Sequence, residues 1–214
     1  FPGVGDFVTP TAEVPVSITC EDAYGLTDVA MRIQAGERPE QRVVPEDFAP
    51  GRRTFAATFV LGVGGSEAQP GETLRVLLEA TDGDPNGPNI GTTPDTTLRV
   101  VSPEDFLIEM GRRELLLRQE FERLVSAQRA TRDALLRIVE ALPLDQPALP
   151  ADAQRLGALA RQQERLGGRC RTMGRAFAQI LTEMRISRVA RQPDERRLTD
   201  EIADPLEVLA REQI

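Results

Sequence analysis

Apolar side chains recur at alternating steps of three and four residues through most of the second half of the chain. This spacing is the a/d seam of a coiled coil, since it keeps one stripe of a helix apolar. The seam of a first arm comprises Leu107, Met110, Leu117, Phe121, Leu124, Leu135, Ile138 and Leu142. That of a second arm comprises Leu156, Leu159, Leu166, Cys170, Met173, Phe177, Ile180 and Met184. Three prolines between residues 143 and 150 forbid a continuous helix. The pattern therefore predicts an antiparallel coiled-coil hairpin over residues 102–192.

The first hundred residues have a different pattern, in which short β-branched runs alternate with glycine and proline turns. Strands are predicted over residues 14–20, 26–33, 41–44, 54–61, 73–80 and 96–101. This number and spacing of strands indicates an immunoglobulin-like or fibronectin-type β-sandwich over residues 11–101, after a linker over residues 1–10. The expected fold class is therefore α+β and multidomain.

Two capping signatures mark helix starts. Ser102, Pro103 and Asp105 place a cap, a first-turn proline and an acidic third residue at the start of the first arm. Asp204 and Pro205 repeat the pattern, so residues 193–214 are predicted to form a short C-terminal helix or a linker. We expect this tail to cover the apolar residues that lie outside the seam: Ile108, Leu115, Leu116 and Leu136.

The composition argues against most catalytic chemistry. All 26 basic residues are arginine, and histidine, lysine and tryptophan are absent. The commonest general base, the Schiff-base amine and the phosphate-binding lysine are therefore missing. Cys20 and Cys170 cannot supply a four-ligand zinc site and are predicted to be two buried thiols. We expect a protein that is not an enzyme.

Charge is distributed unevenly along the chain, whose net charge is −8. Residues 1–101 carry 15 acidic side chains against 7 arginines, whereas the second arm is basic. The overall sign disfavours nucleic acid as a partner. The arginines of the second arm fall on outward heptad positions, which is typical of a solvated helix face. No apolar run approaches the ~20 residues of a membrane span.

One loop has the residue types of a cation site. Asp82, Asp84 and Asn86 precede Gly87 and match the first half of a D-x-D-x-N-G calcium loop, in which alternate oxygens surround a hard cation. In a sandwich, Glu21 and Asp22 lie in a neighbouring loop, and these carboxylates or Asp95 would complete the ligand set. The alternative is a solvated turn, for which these residue types are also ordinary.

Three segments together resemble a known kind of protein: Glu21–Leu26, Leu78–Asn89 and Leu98–Asp105. They are similar to large uncharacterised bacterial envelope proteins that combine an immunoglobulin-like domain, with a D-D-Y-G-L-type turn and a D-N-D-type loop, with long coiled coils. The sequence departs from that pattern at Ala23 and Gly83, where an acidic residue and asparagine are usual. The resemblance implies an extracytoplasmic or envelope-associated scaffold.

The preferred hypothesis is a non-catalytic structural or protein-interaction module, which binds a protein partner through the helical hairpin or the sandwich loops. A calcium-dependent adhesive or ligand-binding domain is the alternative, and a carboxylate-dependent hydrolase is a second alternative. Homo-oligomerisation through the coiled coil is compatible with the first two hypotheses.

Overall fold

The protein has an α+β fold, with a mixed seven-stranded sheet followed by helices, as the sequence predicts at this level. A computed structural model describes residues 1–142 and 149–212. The chain forms two compact units. The sheet unit contains residues 1–109 and 182–190, and the helical unit contains residues 110–181 together with the chain after residue 190. The proline-rich break predicted between the two arms falls mostly on residues 143–148, which lie outside the described residues.

The sheet is built around one long strand, β2, which runs over Glu13–Ala35. Two separate strands were predicted here, and that prediction is wrong. The pairing register shifts between Glu21 and Leu26, and Gly25 adopts a positive φ of 95°. A positive φ costs glycine little, so the strand bends at this point without ending.

The two halves of β2 have different partners. Its first half pairs antiparallel with β4 (Arg52–Gly62). Its second half pairs with β3 (Gln41–Val43) and, on the other edge, with β5 (Thr73–Asp82). Alternation along β2 buries Val14, Val16 and Ile18 as predicted, while Cys20 is half-buried. Alternate side chains of a strand face one side, so β2 contributes a continuous row to the core.

Three further strands complete the sheet beside β5. They are β6 (Ile90–Thr92), β7 (Thr96–Val100) and β1 (Phe7–Val8), and β1 pairs parallel with β7. The strands β1 and β6 were not predicted from the sequence. Part of the stretch that was predicted as a linker is therefore a strand, and Val8 is only 1% exposed.

The end of the second long helix belongs to the sheet unit. The buried Thr9 hydroxyl donates a hydrogen bond of 2.6 Å to the carbonyl of Ser187, and Glu13 forms an ion pair with Arg188. Ile186 packs against the sheet core. Residues 182–190 were assigned to the hairpin by the sequence, which has no local signal for this long-range contact.

Helix α1 (Pro103–Ala141) begins where the capping signature predicts. The Ser102 hydroxyl accepts a 3.0 Å hydrogen bond from the amide of Asp105 and donates a 2.8 Å bond to that residue's carboxylate. The first contact satisfies an amide that a helix start leaves without a partner, and the second fixes the capping side chain. Pro103 has no amide to satisfy at this position.

Helix α2 (Pro150–Ile186) contacts α1 within the helical unit. Gln162 donates to the Thr131 hydroxyl at 2.8 Å, and Arg169 forms an ion pair with Glu120. The second predicted seam is buried from Leu166 onward, through Cys170, Met173 and Phe177. Several residues of the first seam remain exposed: Leu107, Phe121 and Leu135.

The tail forms helix α3 (Gln192–Leu198), a π-helical turn (Thr199–Ala203) and helix α4 (Asp204–Glu212). Helix α4 begins at Asp204, where the sequence predicts a helix start, although the preceding turn is already helical and Asp204 itself has helical dihedral angles. Pro205 gives the physical reason for the turn. It has no amide to bond the carbonyl of Glu201 and its ring would clash with that oxygen, so the backbone widens.

The tail packs on α2 and not on the residues it was expected to cover. A Cβ at Gly174 would lie 3.5 Å from the Ala203 carbonyl oxygen and from the Leu206 Cβ. The missing side chain thus permits the close helix approach. The expected cover is wrong for four apolar residues, which remain 48–69% exposed: Ile108, Leu115, Leu116 and Leu136. In the part of the chain that is described, no helix is long and apolar enough to cross a membrane.

Candidate functional site

The predicted cation loop follows β5 and is held by its own amides. Asp82 accepts hydrogen bonds from the Asn89 amide at 2.7 Å and the Asn89 side chain at 2.8 Å. Asp84 accepts from the amide of Asn86 at 2.8 Å and from its side chain at 3.1 Å. Each of these two carboxylates therefore closes a turn of the loop.

Asp82 is the best-anchored carboxylate of this loop. The Asn89 side chain is the largest cause of its lowered pKa, and the amides of Asn89 and Asp84 add to the effect. Donors that point at a carboxylate stabilise its charged form. A cation would have to displace these donors to reach the same oxygen atoms.

Glu21 and Asp22 lie in the bend of β2. The Asp22 carboxylate accepts hydrogen bonds from the amides of Tyr24 at 2.7 Å and Gly25 at 3.2 Å. The bend and the loop also meet directly, because the Gly83 amide donates to the Gly25 carbonyl at 2.7 Å. The sequence-based expectation that the two segments are neighbours is therefore correct.

A groove of about 550 Å³ lies between these segments. Glu21, Asp22 and Asp82 line it, whereas Asp84 and Asn86 are not among its lining residues. Among residues 1–142 and 149–212, no group of three or more acidic, cysteine or histidine side chains is arranged to hold a metal ion. The calcium site stays a prediction. Asn89 was missed by sequence reasoning, since no motif links it to Asp82 seven residues earlier.

A fourth carboxylate of this groove, Glu79, forms an ion pair with Arg32 at 2.8 Å. Carboxylate-pair hydrolysis requires one carboxyl group with a raised pKa to act as the acid. The pKa of Asp82 is shifted in the opposite direction, and Glu79 is paired with Arg32.

A second concave surface lies in the helical unit, and we call it the apolar groove. It has a volume of about 310 Å³. Its apolar lining consists of Phe121, Phe177, Ile202, Pro205, Leu206 and Leu209. Arg118, Glu122 and Glu201 supply its charged groups. Phe121 is 37% exposed and Leu209 is 44% exposed, so large apolar side chains face solvent here.

The apolar groove depends on the π-helical turn before Pro205. Glu201 and Ile202 belong to that turn and line the groove. Such turns occur frequently at functional sites, because the widened backbone redirects side chains. The sequence paired Phe121 with Phe177 across the seam, but it gave no sign that residues 201–209 would border the same groove.

An ion pair with α1 fixes helix α3. Arg197 donates through both terminal nitrogens to the Glu114 carboxylate, one bond being 3.0 Å long. This contact is the largest cause of the lowered pKa of Glu114, and Arg118 adds to it. The tail is therefore anchored on α1 by charge and on α2 by close packing.

The two cysteines are free, and Cys170 is buried as predicted, whereas Cys20 is only half-buried. Burial raises the pKa of both thiols, and Cys170 lies among the buried residues of α2. A raised pKa lowers the thiolate fraction, so neither thiol is activated as a nucleophile.

No protein-family model, curated protein or solved structure matches this chain. The similarity to bacterial envelope proteins therefore rests on the three sequence segments that suggested it.

Proposed function

We propose that this protein is a non-catalytic structural and protein-interaction module of the bacterial cell envelope, and that its apolar groove binds a protein partner. The observation that carries the proposal is the exposure of Phe121 and Leu209 in a groove whose lining is mostly apolar. Water-exposed apolar side chains in a concave surface favour association with another apolar surface. The envelope location follows from the sequence resemblance alone.

The groove suits the anchor residues of a protein segment. Small-molecule sites usually have volumes of ~300–1,000 Å³, so this groove is at the lower limit. Protein interfaces, in contrast, concentrate their binding energy in a few apolar side chains that fill small pockets. Arg118, Glu122 and Glu201 would contribute the polar rim that surrounds such a pocket.

The finer architecture is part of the same proposal. An immunoglobulin-like sandwich is supported by the division of β2, whose two halves pair with different strands. An antiparallel coiled-coil hairpin is supported by the contacts of Glu120 with Arg169 and of Thr131 with Gln162. In this architecture the sandwich is a scaffold and the helices present the binding surface.

Site-specific photo-crosslinking in producing cells tests the proposed function. A photoreactive residue at Leu209 should give one discrete crosslinked partner, whereas the same residue at the exposed Ala153 of α2 should not. Phe121→Glu places a charge in the groove and should abolish the Leu209 crosslink. Equal crosslinking at both positions, or a crosslink that survives Phe121→Glu in a folded protein, would contradict the proposal.

A calcium-dependent adhesive or ligand-binding domain is the second candidate. It is favoured by the fact that Glu21, Asp22 and Asp82 line one groove. The hydrogen-bonded carboxylates favour a purely structural loop. We therefore expect the same thermal midpoint in millimolar calcium and in chelator, and the same loss of stability for Asp82→Ala in both. A calcium-dependent rise of the β-sheet transition that Asp82→Ala removes would establish the calcium site instead.

A further inference from the structure

Strand β4 has one open edge. It pairs with β2 along its whole length, from Arg52 opposite Leu26 to Gly62 opposite Glu13. In the described ranges, no other strand pairs with β4. An open edge presents unpaired amides and carbonyls to any strand of suitable shape.

Apart from Arg52 and Arg53 at its N-terminal end, this edge has none of the features that usually protect one. Residues 54–62 include no charged residue and no proline. The register of Thr54–Gly62 against β2 is continuous, without a bulge. By contrast, the edge strand β3 is three residues long and contains Arg42. Natural proteins shorten, charge or bend the edge strands that must stay unpaired. The open edge of β4 therefore resembles that of a strand which pairs with another chain in the functional protein.

The pairing with β2 shows which groups of β4 point outward. Pro15 lies opposite Val60 and has no amide, so this pair cannot exchange both hydrogen bonds. Two pairs along, and therefore in a pair of the same type, the hydroxyls of Ser17 and Thr58 are 3.3 Å apart, which fits the closer spacing of a non-hydrogen-bonded pair. Residues 54, 56, 58 and 60 therefore direct their amides and carbonyls to the open edge.

We propose that the open edge of β4 binds the β4 strand of a second copy of this chain, giving a two-fold symmetric dimer with a continuous antiparallel sheet. With the two-fold axis at Ala57, Thr54 faces Val60 of the second copy and Ala56 faces Thr58. Each of these pairs joins residues whose backbone groups point outward. The same contacts are repeated by symmetry, so the interface closes on itself.

Side chains and charge agree with this register. It places Phe55 of one copy beside Phe59 of the other on the inner face, where Ala57 and Phe59 are only partly buried in the single chain. Cross-strand aromatic pairs stabilise a sheet. Arg52 and Arg53 of the two copies lie at opposite ends of the interface, so no like charges meet. The uncharged residues 54–62 offer nothing for a charged partner to recognise, which favours a second copy.

A charge-reversal pair tests the dimer. In the proposed register, A56K/T58K places lysines opposite lysines, and A56E/T58E places glutamates opposite glutamates. Like charges opposite each other should weaken each variant's self-association by about tenfold or more. Mixing the two variants pairs lysine with glutamate and should restore a dimer of mixed composition. T92K/T97K adds the same charge to exposed threonines elsewhere in the sheet and should leave the dimer intact.

Sedimentation velocity of the full chain is the measurement, with circular dichroism as the check of folding. Wild-type protein that stays monomeric at ~100 µM would overturn the proposal. A dimer that persists in both double variants would also overturn it, since another surface would then be responsible. Failure of the mixture to associate would exclude the two-fold register at Ala57.

A crosslink gives a second readout should a charged variant fail to fold. In a chain with Cys20→Ala and Cys170→Ala, Ala57→Cys places the two introduced thiols beside each other at the two-fold axis. Neighbouring residues of a non-hydrogen-bonded pair meet the distance that a disulfide needs. Mild oxidation should therefore yield covalent dimers for Ala57→Cys and far fewer for Thr58→Cys, and equal yields would contradict the register.

Discussion

At the scale of single residues, hydrogen-bonded carboxylates hold loops and helices of this chain in place. Asp22, Asp82 and Glu114 each accept more than one hydrogen bond. The lowered pKa values of Asp82 and Glu114 follow from these donors. Such carboxylates stabilise the folded state only while they are ionised.

Replacing Glu114 with glutamine should reveal this dependence on pH. The folded-state pKa of Glu114 lies below its unfolded value of about 4.3, so its contribution is complete above that value and is lost as the pH falls through the folded-state pKa. At pH 7 the free energy of unfolding of the variant should be lower than that of wild type by only ~1 kcal/mol, because the Arg197 contact is partly solvent-screened. Urea unfolding followed by the helical signal would measure the loss.

The difference in free energy of unfolding between Glu114→Gln and wild type should shrink toward zero below about pH 4. The exposed Glu122→Gln is the matched control and should show no comparable dependence. A loss of stability at Glu114 that stays constant from pH 7 to pH 3 would mean that packing, and not charge, makes the contribution.

At the scale of elements, helix starts and helix contacts differ in how far they are encoded locally. The cap at Ser102 is predictable, because its partner Asp105 is three residues away. The contact between α2 and the tail is not, because Gly174 meets residues about 30 positions later in the chain. A glycine within a helix weakens that helix unless something else needs the space.

Gly174→Leu should therefore separate α4 from α2. A Cβ fits at 3.5 Å, but the remaining side-chain atoms would overlap the Leu206 region, at a cost of ~1–3 kcal/mol. Gly168→Leu is the matched control in the same helix, since a Cβ there meets nothing within 4 Å. The control should be neutral or stabilising by up to about 1 kcal/mol. Hydrogen exchange of residues 204–212 would measure the difference, and equal protection in the two variants would refute this account.

At the scale of the whole molecule, the sheet unit is assembled from distant parts of the chain. Residues 182–190 join residues 1–109 in one compact unit. The buried bond from Thr9 to the Ser187 carbonyl is the clearest of the contacts between them, with Thr9 fully buried. A unit built in this way loses part of its core when the chain is cut at the boundary that the sequence suggests.

Thr9→Val tests the importance of this junction. Valine keeps the volume of threonine but leaves the Ser187 carbonyl without its donor, which should cost ~1–3 kcal/mol. Thr19→Val on the exposed face of β2 is the control and should change stability little. The thermal transition of the sheet signal would show the loss, and a variant as stable as wild type would mean that the bond adds nothing to stability.

Much of the fold was predictable because its signals are local. Period-two alternation located β4, β5 and β7 within a few residues, and the heptad pattern with the Ser102 cap located α1 and α2. Of the predicted cation ligands, Glu21, Asp22 and Asp82 lie together as expected. Asn89, which holds Asp82, and the role of residues 201–209 in the apolar groove were not predictable, because each depends on where separate segments meet.

The sequence by itself determined the α+β class, the helix starts and the inward faces of the main strands, since these follow from backbone propensity and from the spacing of apolar residues. Only the tertiary structure decided that β2 bends at Gly25 without ending, that Pro205 widens the tail helix, and that the open edge of β4 has no partner strand among the described residues. The physical reason is that a turn, a bulge and a free edge differ in hydrogen bonds between residues far apart in the chain. Those bonds exist only once the core has brought the segments together.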